Sequence, residues 1–547
     1  MRKRVGVALI ILLLIFVVGS IFILNEPNQS EHPPPGIVIQ SNSGFSSHGW
    51  TGNGTSENPY IIEGLDMVTS GPSISISDTD GYFIIRNCTL ESTTGAPPRA
   101  IVLDTVKNGV IENCTLTAIK SWGPSGADVI FSGVCVEILD SVDCRIEYCR
   151  LVGSGTGLMI SNTNSCEVVN NTISDNWEAV DVEDSYGCSF SGNLVFGSNN
   201  GITLSRTNMC EIDTQWISCK YTGLQLHYSE NYRITNNRFL NCGIWLGWGY
   251  NPINSSHVFL NNSINAKPYG FFHNSSDKTV DVHGYGQVIL SYCTNVTITG
   301  GDFRNSSVGI EIKSSQQCVI EKSNFLGNKR MGVSVEGGRD IIITNCTFIE
   351  NTWTTNIRRS SNITIDGNIF SHNIKSVEIM ESERCTISGN TIMNGVNSIQ
   401  ISDSEYCEIS GNYLESNLGG IYIRHSTYCT VFENHVYYGS TGVWLGADTE
   451  NCQVFLNSIG GNWKNAQDDG DMNQWDDGVS IGNSWSDYSG TGWYYISGIA
   501  SNYDRYPSVL SGEWDQQNHA MFVVAIGLVI FGVSIIGIIF LKRRNQG

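Results

Sequence analysis

"SVEIMESERCTISGNTIMNG" (376–395) is followed 22 residues on by "SIQISDSEYCEISGNYLESN" (398–417) and again by "GIYIRHSTYCTVFENHVYYG" (420–439). Each unit sets a cysteine, Cys385, Cys407 or Cys429, five residues before an asparagine. The same period runs earlier through "GLMISNTNSCEVVNNTISDN" (157–176), "AVDVEDSYGCSFSGNLVFGSN" (179–199) and "GITLSRTNMCEIDTQWISCK" (201–220), with Cys144, Cys166, Cys188 and Cys210 evenly spaced. Within a unit, apolar residues alternate in short runs, Ile421 with Ile423 and Cys407 with Ile409, broken by Gly, Ser and Asn. That pattern is three brief strands rather than helices.

A unit this short cannot bury its own apolar face, so the units must stack, each pairing in parallel with its neighbours about 4.8 Å away. The expectation is an all-β, right-handed parallel β-helix. Taking 60–485 as repetitive gives about 19 coils and a rod on the order of 80 to 90 Å long. A leucine-rich repeat would show L-x-x-L-x-L, and a propeller blade needs about twice the length; the sequence has neither. Asn368, Asn390, Asn412 and Asn434 recur at the period. They predict an internal asparagine ladder, each residue in the left-handed conformation at a sharp turn with its amide bonded to the next coil.

The body is framed by two apolar segments. "MRKRVGVALIILLLIFVVGSIFIL" (1–24) has a basic start and no A-x-A cleavage site, so it predicts a signal anchor or signal peptide. The run 520–541 ends in Lys542, Arg543 and Arg544 (tail 542–547), the pattern of a transmembrane helix with a cytoplasmic stop. Between them lie a Pro-bearing linker (25–36), the ectodomain (37–510) and a juxtamembrane linker (511–519). This places the chain in the cell membrane, its bulk extracytoplasmic and both termini inside if the first segment is retained. A net charge of -21 without a Lys/Arg-rich stretch in the body excludes nucleic acid as a partner. Cations, neutral glycans or other envelope proteins remain. Twelve N-x-S/T sequons, among them Asn53, Asn254, Asn274, Asn305 and Asn362, suit a glycosylated surface protein, whereas Asn170, taken as a ladder member, should be inaccessible.

The repeat, the opening "GNGTSENPYIIEGLDM", the mid-chain "AKPYGFFHNSSDKTVDVHGYGQVILSYCTNVTITG", the closing "GNSWSDYSG" and "YDRYP" together resemble the NosD-like right-handed β-helix proteins, exported forms of archaeal type included. The resemblance spans roughly 36–510. It implies the fold, and it implies a copper-handling accessory role as one functional alternative. The family's usual D-x-D-G ending is replaced here by a segment with Asp504 alone.

Outward positions of the first strand form a column, Met159, Asp181, Thr203, Gln225, Trp245, Glu311, Ser334, Asn356, Glu378, Gln400, Tyr422 and Trp444. Asp181 and Glu183 share one outward side, with Cβ atoms roughly 6 to 7 Å apart, a spacing compatible with paired-carboxylate chemistry. Trp245, Trp248 and Tyr250, where the repeat is interrupted, and Tyr422 with Trp444 one coil apart, are candidates for stacking against sugar rings. "NAQDDGDMNQWDDG" supplies Asp468, Asp469, Asp471, Asp476 and Asp477 as candidate Ca²⁺ ligands, without EF-hand spacing.

The cysteines stack coil on coil. A straight column cannot converge on a tetrahedral zinc, a bridge between parallel side chains is strained, and two stacked thiols suit only a soft ion such as Cu(I). In coils lacking Cys the same slot holds Tyr232, Val296 or Ile363, whose shared property is burial, so the thiol reads as core filler. The sequence thus favours a membrane-anchored surface rod that binds carbohydrate, more binding or structural protein than enzyme. The alternatives are a polysaccharide lyase, epimerase or hydrolase on the first-strand face, and a copper-handling accessory protein.

Overall fold

The computed structural model describes residues 35–93, 97–118, 133–247 and 257–510. Both apolar end segments, the tail, the juxtamembrane linker, most of the N-terminal linker, Trp248 and Tyr250 lie outside the described residues. Among the described residues no helix is long and apolar enough to cross a membrane.

The coil is built as its sequence dictates. In one turn of the solenoid, Glu178–Glu183 forms face 1, Ser189–Ser191 face 2 and Leu194–Phe196 face 3. Val180, Val182, Phe190 and Val195 point inward and are buried, while the alternate residues point out. Corners are turned by single residues with positive φ, such as Asp184, Gly187, Gly192 and Gly197. Each strand pairs in parallel and in register with the next coil: Asp181 lies beside Thr203, and Thr203 beside Gln225. The first-face column predicted from sequence is therefore real on either side of one interruption.

The interior is filled by like residues stacked on like. Phe303, Phe325, Phe348 and Phe370 stack with centroids 5.3, 4.6 and 4.8 Å apart. The asparagine ladder forms: Asn390 Nδ2 donates to Asn412 Oδ1 at 2.9 Å and Asn412 Nδ2 to Asn434 Oδ1 at 2.9 Å. One detail differs from expectation. The left-handed residue is the one before the asparagine, Gly367, Gly389, Gly411 or Glu433, so the ladder asparagine is free to turn its amide inward. By the same shift Asn171 is the ladder member and Asn170 is the exposed corner residue, reversing the expected inaccessibility of Asn170.

All seventeen cysteines are free and buried, which makes them core groups. Burial pushes the Cys144 and Cys346 thiols up to about 12.

The rod is not one uninterrupted stack. Face 1 of the first stack ends at Ile244–Leu246, and the chain reverses through an antiparallel hairpin, Ser263 to Pro268 and Ile264 to Lys267, turned by Asn265 and Ala266 at positive φ. A two-residue turn with both residues left-handed matches the strand twist, which explains the tight reversal. The second stack begins with Lys267–His273 and has its own core. Its first outward residues cover the open end of the first core: Ile289 belongs to that core, and Tyr269 and Phe271 pack against it. The exposed edge of Ile244–Leu246 is capped by side chains from the second stack. Gln287 Oε1 accepts from Ile244 N at 3.0 Å, Glu311 Oε2 from Leu246 N at 3.1 Å and Ser307 Oγ from Gly243 N at 2.7 Å. Because a flank of one stack closes the end of the other, the two meet at a bend.

Candidate functional site

Beside this bend, the outward side of face 1 in the first stack forms a cleft of about 440 Å³, within the roughly 300–1,000 Å³ of small-ligand sites. Trp177, Glu178, Asp181, Glu183, Thr203 and His227 are among the residues that line it. Glu178, Asp181 and Glu183 project from one strand because the backbone at Ala179 and Val180 turns both side chains inward, leaving position 178 on the outer side. Trp177 stands at the corner preceding that strand and is 43% exposed.

The carboxyls differ in environment. Burial pushes Glu178 up to about 7, against the opposing hydrogen bonds from Thr203 Oγ1 and from Asn200 Nδ2, the latter at 3.0 Å. Burial also raises Asp181, helped by the charge of Glu183. Glu183 is ion-paired with Arg206, which also holds Asp184 at 2.7 Å. Arg330 reaches the site from the second stack: its guanidinium lies 3.7 Å from the Trp245 ring centroid, donates to Thr222 Oγ1 at 3.5 Å, and its charge favours ionised Glu178. Burial lowers Arg330 to about 10.

Of the residues singled out from sequence, Asp181 and Glu183 thus come together in a cleft. Trp245 does not join them as a platform. It is 1% exposed, packed against Val308, Met331 and Trp353 beneath Arg330, so it serves the bend. Tyr422 and Trp444 meet edge to face, at 84° and 5.4 Å, and Trp444 Nε1 donates to Asp469 Oδ2 at 2.9 Å.

The five aspartates of the acidic run are built into the C-terminal cap. Asp468 accepts from Trp475 Nε1 at 2.9 Å and Asn473 Nδ2 at 3.0 Å; Asp476 is gripped by Arg505 Nε at 2.8 Å. Asp477 accepts three successive backbone N–H groups of residues 479–481, Asp469 that of Ile499, and Asp471 that of Met472. Among the described residues no group of three or more His, Cys, Asp or Glu is placed to hold a metal ion. Asp504 ends the asparagine ladder, accepting from Asn483 N at 2.7 Å and Trp485 Nε1 at 2.9 Å, which gives the closing motifs a structural reason.

Sequence reasoning missed Trp177, Glu178 and Arg330. Glu178 falls three residues before Asp181 and so outside a strict alternation. Arg330 is distant in sequence and arrives only through the bend.

The chain matches the family model described as "Periplasmic copper-binding protein (NosD)" over residues 118–271 and 354–490, just over half its length. It matches "Right handed beta helix region" over 253–355. No curated protein matches. Similar solved structures include DFA-IIIase from Arthrobacter chlorophenolicus A6 in complex with GF2, at 8% identity, covering 51% of this chain and 83% of that one, TM-score 0.28. Tailspike protein 3 of Bacteriophage CBA120 is similar at 10% identity, covering 72% and 56%, TM-score 0.26. The A-module of a mannuronan C-5 epimerase from Azotobacter vinelandii is similar at 12% identity, covering 72% and 89%, TM-score 0.23. Likenesses this distant carry no inference about activity.

Proposed function

The chain belongs to the NosD family, and from that premise we propose that it is an exported binding rod whose cleft beside the bend takes a neutral carbohydrate. One observation carries the reading: the exposed Trp177 ring and the carboxyls of Glu178, Asp181 and Glu183 line the same cleft. An aromatic face covers the C–H face of a sugar, and carboxyl oxygens accept from its hydroxyls. Glu178, raised by burial to about 7, is partly protonated near neutral pH and in that form can also donate. The net charge of -21 repels an acidic polysaccharide, so the favoured ligand is uncharged. The periplasmic family description supports an extracytoplasmic ectodomain, and the apolar segments 1–24 and 520–541 support an anchor in the membrane. A glycan-array screen of the full chain tests the reading. Binding of neutral glycans that Trp177→Ala removes supports it, and an array without binding sinks it.

The enzymatic alternative draws on the contrast between Glu178, held protonated to about pH 7 by burial, and its ion-paired neighbour Glu183, since carboxyls in unlike environments suit acid and base roles. Release of reducing ends from a neutral glycan, lost in Glu178→Gln, would establish it.

The family description makes copper handling a further reading. The thiol donors, the cysteine columns, fit an incoming ion poorly. Cys385, Cys407 and Cys429 are buried, and their Sγ atoms donate to the carbonyls of Glu383, Glu405 and Thr427 at 3.5, 3.6 and 3.6 Å.

A further inference from the structure

The ten sequon asparagines among the described residues are all exposed, and nine of them are in the left-handed region with φ between 48° and 58°. Their placement on the first stack is selective. Four of its five described sequon asparagines, Asn87, Asn113, Asn170 and Asn261, sit on the corner between faces 2 and 3, each directly after a face-2 strand and before the face-3 strand that supplies its hydroxyl residue, while the fifth, Asn53, lies in the connection between faces 1 and 2 of the first coil. Those hydroxyl residues, Thr89, Thr115, Thr172 and Ser263, open their strands with outward, solvent-reaching side chains. The left-handed asparagines on the other two corners, Asn108, Asn162, Asn231 and Asn241, are not followed by sequons.

In a three-sided coil the corner between faces 2 and 3 is opposite face 1, which carries the cleft. We propose that this corner is an N-glycosylation edge, bearing oligosaccharides at Asn87, Asn113, Asn170 and Asn261 while face 1 stays bare. The donor class is an oligosaccharide on a polyprenyl phosphate or pyrophosphate. The asparagine Nδ2 forms a bond to C1 of the reducing-end sugar, the C1–O bond to the lipid phosphate breaks with its electron pair leaving on phosphate, and Nδ2 gives up one proton. No oxidation is involved. Left-handed corners accept the substituent without backbone change, since the four side chains are exposed, Asn261 Nδ2 donating to the exposed Asn236 Oδ1 at 3.2 Å, and the following residue, Cys88, Cys114, Asn171 or Asn262, carries the packing. The inference rests on export and not on the cleft's ligand.

The test is glycopeptide mass spectrometry of the full chain purified from its native cells. Sugar oxonium ions and intact glycan masses are expected on at least three of the four peptides. Glycan on no more than two of them, in whichever cell fraction the chain is recovered, overturns the proposal. Thr172→Val, which removes the sequon without touching Asn170, is expected to abolish glycan at Asn170 alone; glycan retained there overturns the assignment. Glycan binding by the cleft is scored separately in the array, so the two proposals fail independently.

Discussion

The Arg330 guanidinium lies 3.7 Å from the centroid of the Trp245 ring, joining the second stack to the last coil of the first. A buried cation on an aromatic face is worth about 2 kcal/mol once desolvated. It also brings a positive charge to the edge of a carboxyl-lined cleft.

Arg330→Met should keep the packing and remove that charge. Because the Arg330 charge favours ionised Glu178, its loss is expected to move the Glu178 midpoint further above about 7, as read by carboxyl infrared titration. Trp245→Ala should cost about 3–5 kcal/mol. Hydrogen exchange should show the loss first at Ile244 and Leu246, whose N–H groups are capped across the bend.

Glu178 sets a pH window. Its folded pKa, about 7, lies above the ordinary value of 4.5, so the folded chain holds a proton that the unfolded chain has released. Stability therefore falls as pH rises from about 4.5 to about 7 and is level above that. Glu311, raised to about 7 by burial, adds the same sign. Glu178→Gln should make the slope shallower and the chain more stable than wild type at pH 8, measured by urea midpoints at pH 4.5 and 8.

The asparagine ladder gives a third prediction. Asn412→Ala removes the acceptor of both Asn390 N, at 3.0 Å, and Asn390 Nδ2, at 2.9 Å. Each stranded buried donor costs about 1–3 kcal/mol, so a loss on the order of 3 kcal/mol is expected. Chain unfolding need not be two-state in a repeat protein, so the loss is best read from local hydrogen exchange around Asn390.

The thiols give the fourth. In the native chain none of the seventeen cysteines should react rapidly with a water-soluble thiol reagent, and all should react after denaturation. Cys385→Val with Cys407→Val should leave any bound copper unchanged. Metal analysis showing one copper lost with that pair would restore the copper reading.

The coil, its register and the ladder were legible because each is a local, repeated choice: an apolar residue at every second place, a cysteine at Cys385, Cys407 and Cys429, an asparagine five residues later. The bend was not, because it depends on one hairpin at Asn265 and Ala266 and on pairings such as Leu246 with Glu311 that no period announces. Half the site followed the same division. Asp181 and Glu183 stand out by alternation, whereas Glu178 and Arg330 acquire their roles from burial and from the meeting of the stacks. Trp245 shows the same division: an outward position is exposed only where nothing packs on it, and here the second stack does.

A carbohydrate site in the cleft beside the bend would bind its ligand against the Trp177 ring. Isothermal titration of a neutral glycan identified on the array, against wild type and Trp177→Ala, tests it most directly. A single site is expected, its affinity falling about tenfold or more in Trp177→Ala, the loss of roughly 1.4 kcal/mol or more expected of one aromatic contact. Equal affinity in both proteins, or no heat from any neutral glycan, would contradict it.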